Sequence, residues 1–237
     1  MSSNESTGVM LDDAQIERYS RQIILPEVGG RGQERLLQSH VALIGSGPLG
    51  RLIATYLAGA GVGRLDWYSG PGDDSGAGAR LCSDLAAVNP DTDCHWHAGS
   101  EGFSADPAHV VIAAVEDSSH LARANHAALS ARVPLVAGCV RGTAGWLGVF
   151  AGDRPDQACV ECATPTLSSE HGAARDASPE PAAAGVVGSL QALEALNLLL
   201  DPGTVPLGRI WHYDGATSAL EPQPISKRAG CPACGTD

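Results

Sequence analysis

Three glycines near residue 45 have the spacing of a phosphate-binding turn. Gly45, Gly47 and Gly50 form a G-x-G-x-x-G pattern directly after the apolar residues 41–44. In such a turn the first glycine permits a tight bend, the second lets a phosphate approach the backbone, and the third lets helix and strand pack closely. The N-terminus of the following helix presents N–H groups and a partial positive charge to the phosphates.

The residues that follow these glycines fit the rest of a βαβ unit. Residues 51–60 have the composition of a helix, a Gly-Val-Gly segment ends it, and a second strand runs to Tyr68. Asp66 lies 21 positions after Gly45, close to the spacing of a carboxylate that accepts ribose hydroxyls. Strand, glycines, helix and strand in register predict nucleotide binding, and the alternative is a βαβ turn with a structural role only.

Two C-x-x-C pairs indicate a second kind of chemistry. Cys159 and Cys162 form one pair, and Cys231 and Cys234 form the other. In a reducing compartment two such pairs are typical of a structural Zn²⁺ site, because each turn offers two thiolates and both turns complete a tetrahedron. The alternative is a thioredoxin-like redox pair, which needs only one C-x-x-C. We expect zinc, and we expect the isolated cysteines to be free cysteines of the core: Cys82, Cys94 and Cys139.

Two carboxylates follow the most apolar predicted strand, residues 110–114. Glu116 and Asp117 would lie at the carboxyl end of that strand, where an open parallel sheet binds its ligands. They could hold Mg²⁺ there. Alternatively, Asp117 or Ser118 caps the helix that follows.

Composition and charge exclude several classes of partner. The 237-residue chain has a net charge of −12, which argues against a nucleic-acid or anionic-membrane surface because phosphate binding requires clustered lysine and arginine. The first residues are polar and acidic, unlike a signal peptide, and no apolar run approaches the length of a membrane span. We therefore expect a cytoplasmic protein.

Strands and helices alternate along the chain, which predicts an α/β protein. The first helix, capped by Asp12 or Asp13, carries Arg18 and Arg21 on one side, and these arginines could simply be solvated. We predict loops at residues 29–32, 69–78 and 163–184 (the last a mobile crossing loop), further helices at 33–38, 81–88, 119–132 and 189–200, and further strands at 94–97, 133–136, 146–150 and 209–213.

Several segments together carry a resemblance to a known family. They are residues 18–26, 45–50, 56–63, 89–90, 133–136, 185–195 and 213–214, with both cysteine pairs. In this order they resemble the adenylyltransferases that activate ubiquitin-like sulfur carriers in molybdopterin and thiamine synthesis, relatives of the ubiquitin-activating enzymes. The resemblance implies one Rossmann-like, doubly wound α/β domain over residues 1–237. Its parts are N-terminal helices (1–40), a nucleotide-binding half (41–150) and a zinc-bound C-terminal part (151–237).

The resemblance also implies a reaction and roles for particular residues. Such enzymes bind ATP·Mg²⁺ and adenylate the C-terminal Gly-Gly carboxylate of the carrier protein, releasing pyrophosphate. Arg21 matches an arginine that reaches the phosphates of the neighbouring subunit's nucleotide, which implies a homodimer. Glu116 matches a Mg²⁺-binding aspartate, a role that passes to Asp117 if the register shifts by one. Arg80 matches an arginine of the phosphate site.

Two side chains expected of this family are missing. Counting on from residues 61–63, the ribose-binding acid falls at Ser69 and not at Asp66, and the segment that should carry a phosphate-binding lysine is short. The one lysine, Lys227, lies beside the second cysteine pair. No cysteine lies between Cys162 and Cys231, so no covalent thioester or acyl-disulfide is expected on the crossing loop.

Three hypotheses follow from these observations. The first is a divergent carrier-protein adenylyltransferase in which Arg21 and Arg80 act on the phosphates. The second is a non-catalytic relative that binds a ubiquitin-like protein or pairs with an active paralogue, which the missing acid and lysine favour. The third is a dinucleotide oxidoreductase, suggested by the glycines alone. We favour the first, because Arg21, Glu116 and the glycines are present.

Overall fold

The computed structural model describes residues 11–69, 77–115, 117–170, 178–201, 203 and 207–235. Within them, helices and strands alternate, which confirms the α/β class. The helices are α1 (Asp13–Ile23), α2 (Gly29–Leu37), α3 (Pro48–Ala60), α4 (Ala77–Val88), α5 (Ser118–Ala131), α6 (Val160–Glu170) and α7 (Pro181–Leu200). The strands are β1 (His40–Ile44), β2 (Arg64–Tyr68), β3 (Asp93–His97), β4 (Val110–Ala114), β5 (Leu135–Arg141), β6 (Ala144–Phe150), β7 (Arg209–Asp214) and β8 (Ala219–Pro224).

The strands form one mixed sheet in the order β3-β2-β1-β4-β5-β6-β7-β8. Strands β3, β2, β1, β4 and β5 are parallel, and β6, β7 and β8 continue the sheet antiparallel. The chain moves outward from β1 to β3 and then returns to β4 on the other side of β1. This reversal opens a crevice at the carboxyl ends of β1 and β4, the place where open α/β sheets bind ligands.

Helices cover both faces of the sheet. On one face α3, α4 and α7 pack around strand residues such as Leu43 and Ile112. On the other face α5 and α6 pack against their strand neighbours, such as Ile44 and Val111. Successive residues of β1 and β4 therefore enter opposite cores, which explains why both strands are apolar throughout.

Helix α7 is long and apolar enough to cross a membrane, alone among the helices that the structure describes. The expectation that no apolar run approaches the length of a membrane span is therefore wrong. Half of its most apolar window is buried inside the fold, and the helix packs against α3, β5 and β6. Its buried residues, such as Val187, Ala195 and Leu198, lie on one side and enter the core, whereas Val186 and Leu193 on the opposite side are exposed.

Two stretches predicted to be loops are helical. Residues 29–32 belong to α2, because Gly32 packs against Leu200 of α7 and the next residue, Gln33, is fully buried. This tertiary packing outweighs the low helix propensity of glycine. Residues 163–170 of the predicted crossing loop belong to α6, whose Val160 and Ala163 enter the second core.

Three further differences concern the edges of the fold. Helix α7 begins at Pro181, eight residues before the predicted helix, whereas residues 171–177 of the crossing loop lie outside the described residues. Of the predicted loop 69–78, residues 70–76 also lie outside them, and α4 begins at Ala77. The edge strand β8 is not predicted, because its sequence contains two prolines and lies mostly exposed.

The prediction of free core cysteines is wrong for two of the three. Cys82 of α4 and Cys94 of β3 form a disulfide, with Cα atoms 5.3 Å apart. Helix α4 packs directly on β3, which brings two cysteines together that are twelve positions apart in the sequence. Cys139 lies buried in β5 and is not part of a disulfide.

Candidate functional site

The glycine turn, residues 45–50 between β1 and α3, is closely packed at two of its glycines. Gly45 has a φ of +110°, and a Cβ there would collide with the carbonyl oxygen of Ala114, the last residue of β4. A Cβ at Gly50 would collide with the carbonyl oxygen of Gly45, which also accepts a 2.9 Å hydrogen bond from the indole of Trp67. Packing therefore requires glycine at both positions.

Gly47 has a different environment. It is the N-cap of α3, and a Cβ placed on it would meet no atom within 4 Å. No side chain caps this helix, and Pro48 occupies its first position. The remaining N–H groups of the first turn and the positive end of the helix dipole therefore face the open space at Gly47. This arrangement suits a phosphate.

The crevice between β1 and β4 places the β4–α5 connection beside the glycine turn. Asp117 caps α5: its Oδ1 accepts hydrogen bonds from the backbone N–H groups of Ser119 and His120 at 2.9 and 3.1 Å. Hydrogen bonds from Ser119 and His120 hold the pKa of Asp117 well below its usual range. The capping alternative is thus confirmed for Asp117. Glu116 lies outside the described residues, so its Mg²⁺ role stays a prediction.

Arg80 lies at the same edge of the sheet as the glycine turn. Two residues before it, Gly78 packs so tightly on the indole of Trp96 that no Cβ would fit. Trp96 contacts Trp67 edge to face, with ring centroids 5.6 Å apart, and Trp67 in turn bonds Gly45. These contacts fix the first turn of α4 next to the glycine turn, and Arg80 is exposed there.

Arg51 was not singled out from the sequence. It directly follows Gly50, on the first turns of α3, and its Nε donates a 3.1 Å hydrogen bond to the carbonyl oxygen of Ser46 inside the glycine turn. Its position directly after the third glycine could have indicated it, because helical side chains point back toward the helix N-terminus.

Arg21 lies at the opposite end of α3 from the glycine turn. Its neighbour Gln22 donates a 3.2 Å hydrogen bond to the carbonyl oxygen of Ala60, and Tyr19 packs against Gly61. Helix α3 has 13 residues and is therefore about 18 Å long at 1.5 Å per residue. Within one chain the structure does not bring Arg21 and the glycines together.

Asp66 lies in the middle of β2, where its carboxylate is surrounded by basic side chains. It bonds His40 Nε2 at 2.5 Å, His97 Nε2 at 3.1 Å and Arg64 at 3.2 Å, and it is buried. Burial acts to raise the pKa of Asp66, but hydrogen bonds from Arg64, His97 and His40 outweigh it and lower the pKa to about 2. These contacts contradict the ribose-binding role that the spacing suggested.

The residues in place of the missing acid and lysine also have structural partners. Ser69 follows β2 directly, is buried, and accepts a 2.5 Å hydrogen bond from the backbone N–H of Gly99. Lys227 donates from Nζ to the carbonyl oxygens of Gly152 and Arg154, both at 3.1 Å. Lys227 thus ties the C-terminal segment to the residues after β6.

The two cysteine pairs come together at one point. Sγ atoms of the first pair lie 4.0 Å apart, and Cys231 and Cys234 approach them at 3.8 and 3.5 Å. All four Sγ atoms lie within 4.8 Å of one another. A tetrahedral Zn²⁺ site with bonds of about 2.3 Å has sulfur–sulfur edges of about 3.8 Å, so this cysteine cluster fits the metal.

Backbone groups favour the thiolate at Cys231, whereas burial raises the pKa of Cys159 and of Cys234. Burial acts to raise the pKa of Cys231, but hydrogen bonds from the backbone N–H groups of Cys234 and Ala233 outweigh it and lower the pKa to about 6. The N–H of Arg228 donates to the Sγ of Cys162 at 3.4 Å. Such N–H to sulfur bonds surround metal-bound thiolates. Because both pairs meet, a redox role for one separate C-x-x-C is disfavoured.

A doubly wound α/β sheet with a glycine turn at its switch point defines a nucleotide-binding class of fold. Solved structures with this fold include Escherichia coli MccB with succinimide, at a TM-score of 0.73 and 15% identity, covering 92% of this chain and 74% of that one. Another is PaaA, at a TM-score of 0.70 and 18% identity, covering 96% and 79%.

The sequence itself matches the ThiF family over residues 19–68 and 88–233, and the chain belongs to this family. It is 30% identical to the sulfur carrier protein ThiS adenylyltransferase of Escherichia coli (strain K12), over 95% of this chain and 97% of that protein. It is 31% identical to the SAMP-activating enzyme E1 of Haloferax volcanii, over 95% and 91%. The unmatched residues 69–87 are the segment in which the acid and the lysine are missing.

Proposed function

We propose that this protein is an adenylyltransferase that activates the C-terminal Gly-Gly carboxylate of a ubiquitin-like sulfur-carrier protein with ATP. The observation that carries the proposal is the open, uncapped glycine turn at the switch point between β1 and β4. Its location supports phosphate binding there. Relatives matched over nearly their whole length include a sulfur carrier adenylyltransferase and a molybdopterin-synthase adenylyltransferase, which supports the carrier as substrate and speaks against an oxidoreductase.

The reaction that we propose is a single displacement at phosphorus. A carboxylate oxygen of the carrier attacks the α-phosphorus of ATP and forms an acyl adenylate. The bond between the α-phosphorus and the bridging oxygen to the β-phosphorus breaks, and pyrophosphate leaves with that electron pair. Negative charge grows on the leaving group, and the exposed Arg80 and the N-terminus of α3 can offset it.

We assign Arg21 to the site of a second subunit. Arg21 and the glycine turn lie at opposite ends of α3, so Arg21 can serve a glycine turn only in a neighbouring chain. An arginine donated in this way would make the active unit a homodimer, and each site would be incomplete in a single chain.

Two metals complete the proposal. Mg²⁺ would be held by Glu116 and would neutralise phosphate charge. Zn²⁺ would be held by the cysteine cluster, whose spacing fits it, and would have a structural role. We place the protein in the cytoplasm, without nucleic-acid or membrane partners, in line with its negative charge.

One observation favours a second candidate function, a nucleotide- or carrier-binding module without catalytic activity. Ser69 takes the place of the family's ribose-binding acid, and its hydroxyl already accepts the N–H of Gly99. A neutral, engaged serine binds ribose less strongly than a carboxylate would, because charged hydrogen bonds are about twice as strong as neutral ones.

Titration calorimetry with ATP·Mg²⁺ on the zinc-replete protein tests the proposal. We expect saturable binding by the unsubstituted protein and loss of binding in Gly47→Asp, which places a negative charge where the phosphates would lie. Gly47→Ala controls for the fold, because its Cβ would meet no protein atom within 4 Å; it adds no charge and should weaken ATP binding less than Gly47→Asp does. Pyrophosphate exchange dependent on a Gly-Gly carrier would establish adenylation. ATP binding without exchange would favour the binding module, and no ATP binding would refute the proposal.

A further inference from the structure

Phosphate sites of this kind depend on cations, and this chain has few at the crevice. Its one lysine, Lys227, is bonded to carbonyl oxygens beside the cysteine cluster. Arg21 lies at the far end of α3 in the same chain. Pyrophosphate release nevertheless requires positive charge near the leaving group. The inference that follows rests on the proposed function and concerns a second residue that supplies such charge, in addition to Arg80.

Arg51 is held directly against the glycine turn. Its Nε donates to the carbonyl oxygen of Ser46, which lies between the packed Gly45 and the open Gly47. Ser46 is buried, whereas Arg51 is exposed. The contact therefore anchors the guanidinium at the mouth of the turn while its outer part faces solvent.

The bond to Ser46 uses one of the five N–H groups of the guanidinium. The two terminal NH₂ groups carry the other four, in a planar fork that matches two phosphate oxygens. Because side chains of a helix point toward its N-terminus, these groups lie over the first turn of α3 and not along the helix. They are thus directed to the same open space as the N–H groups at Gly47.

We propose that Arg51 binds the β- and γ-phosphates of ATP and supplies the cation that the missing lysine would have provided. The anchored Nε keeps the fork oriented before ATP arrives, which reduces the entropy lost on binding. Arg51 is then a binding residue that discriminates ATP from AMP, because AMP lacks the two outer phosphates.

Calorimetric titrations of Arg51→Gln with ATP·Mg²⁺ and with AMP test this assignment. We expect the affinity for ATP to fall by roughly ten- to a hundredfold, the effect of a lost charge-assisted pair, while the affinity for AMP changes little. Arg31→Gln removes the same charge from an exposed position of α2, at the far end of α3, and should leave both affinities unchanged. Thermal unfolding without nucleotide checks that each variant is folded.

The possible outcomes distinguish direct phosphate binding by Arg51 from a role that only holds the glycine turn in place. An equal loss of ATP and AMP affinity would mean that Arg51 only holds the glycine turn, and an unchanged ATP affinity would mean that it has no role; both overturn the assignment. Arg51→Lys keeps the charge but lacks the planar fork and the Nε bond to Ser46, so its ATP affinity should lie between those of Arg51→Gln and the unsubstituted protein; an affinity below that of Arg51→Gln would also count against the assignment. Failure of the unsubstituted protein to bind ATP would instead overturn the proposed function itself.

Discussion

At the scale of single residues, the glycine turn shows that identical residues can be present for different reasons. Gly45 and Gly50 are fixed by backbone atoms that would collide with a Cβ, and these collisions exist without any ligand. Gly47 has open space before it and an ordinary φ of −62°, so the fold itself tolerates a side chain there. The requirement for glycine at 47 therefore depends on the phosphate alone, which is why its substitution is informative about function.

Asp66 makes the stability of the fold depend on pH. Its pKa in the folded protein is about 2 and its ordinary value is 3.8, so it stabilises the fold fully above about pH 4. This contribution is lost as the pH falls from about 4 to about 2 and amounts to about 2 kcal/mol. At His40, burial outweighs the bond to Asp66 and lowers the pKa. The contribution of His40 to the stability of the fold is therefore likewise fully present above about pH 6.5 and decreases in acid.

We predict that Asp66→Asn flattens the loss of stability between pH 4 and pH 2. Urea unfolding at a series of pH values measures this slope for both proteins. Asp93→Asn, at a carboxylate that is 69% exposed and bonded to His95, is the matched control and should keep the slope of the unsubstituted protein. Equal slopes for Asp66→Asn and the unsubstituted protein would contradict the assignment.

The same residues show what the sequence can predict at this scale. The bends at Gly45 and Gly50 follow from a spacing rule with a steric cause, and the structure has both. The spacing of Asp66 is misleading, because position along the chain does not reveal that this carboxylate is buried and bonded to His40, His97 and Arg64. The pairing of Cys82 with Cys94 was out of reach for a similar reason, since it depends on how α4 lies on β3.

At the scale of elements, the cysteine cluster fastens the C-terminal segment to the body of the fold. Cys159 and Cys162 lie at the start of α6, and Cys231 and Cys234 come after β8. The cluster packs against Leu129 of α5 and Ile225. One metal ion would thus hold two segments that are about seventy positions apart in the sequence.

We predict one Zn²⁺ per chain, measured by mass spectrometry of the native protein. Cys231→Ser should lose the metal and lower the free energy of unfolding by more than about 2 kcal/mol, because metal binding stabilises the folded state directly. A chelator should reproduce this loss in the unsubstituted protein. Cys139→Ala changes a buried cysteine outside the cluster and should keep the zinc. Full stability of the metal-free protein would contradict a structural role.

A helix or strand is predictable from the sequence when the pattern of its own apolar residues indicates it. Strands β1 and β4 match their predicted residues closely, because four or five consecutive apolar residues bounded by turn residues are typical of a buried strand. Strand β2 also has its predicted bounds. The first turn of α2, residues 29–32, and the edge strand β8 were missed, since their glycines and prolines give the opposite local signal. What holds α2 in place is contact with α7, which lies more than 150 positions away.

At the scale of the whole molecule, the switch point gives a physical reason for the proposed division of the candidate site between two chains. Residues that follow the parallel strands gather at one edge of the sheet, and they include the glycine turn, Arg80 and Asp117. Helix α1 packs at the other edge, where Arg18 pairs with Asp91 at 2.6 Å. The sequence resemblance implied that Arg21 acts on a neighbouring subunit, and the length of α3 supplies a physical reason for it.

A division of the site between two chains predicts complementation between inactive variants. Arg21→Ala and Gly47→Asp should each be inactive as homodimers in carrier-dependent pyrophosphate exchange. After the two are mixed and allowed to exchange subunits, half of the dimers are mixed and one of their two sites is intact, so about one quarter of the original activity per chain should return.

Mixing Arg21→Ala with Arg80→Ala should give the same recovery, whereas Gly47→Asp with Arg80→Ala should stay inactive, because both damage the same half of every site. Activity that does not recover in the first mixture, although size-exclusion chromatography shows dimers that exchange, would mean that Arg21 does not act across the interface.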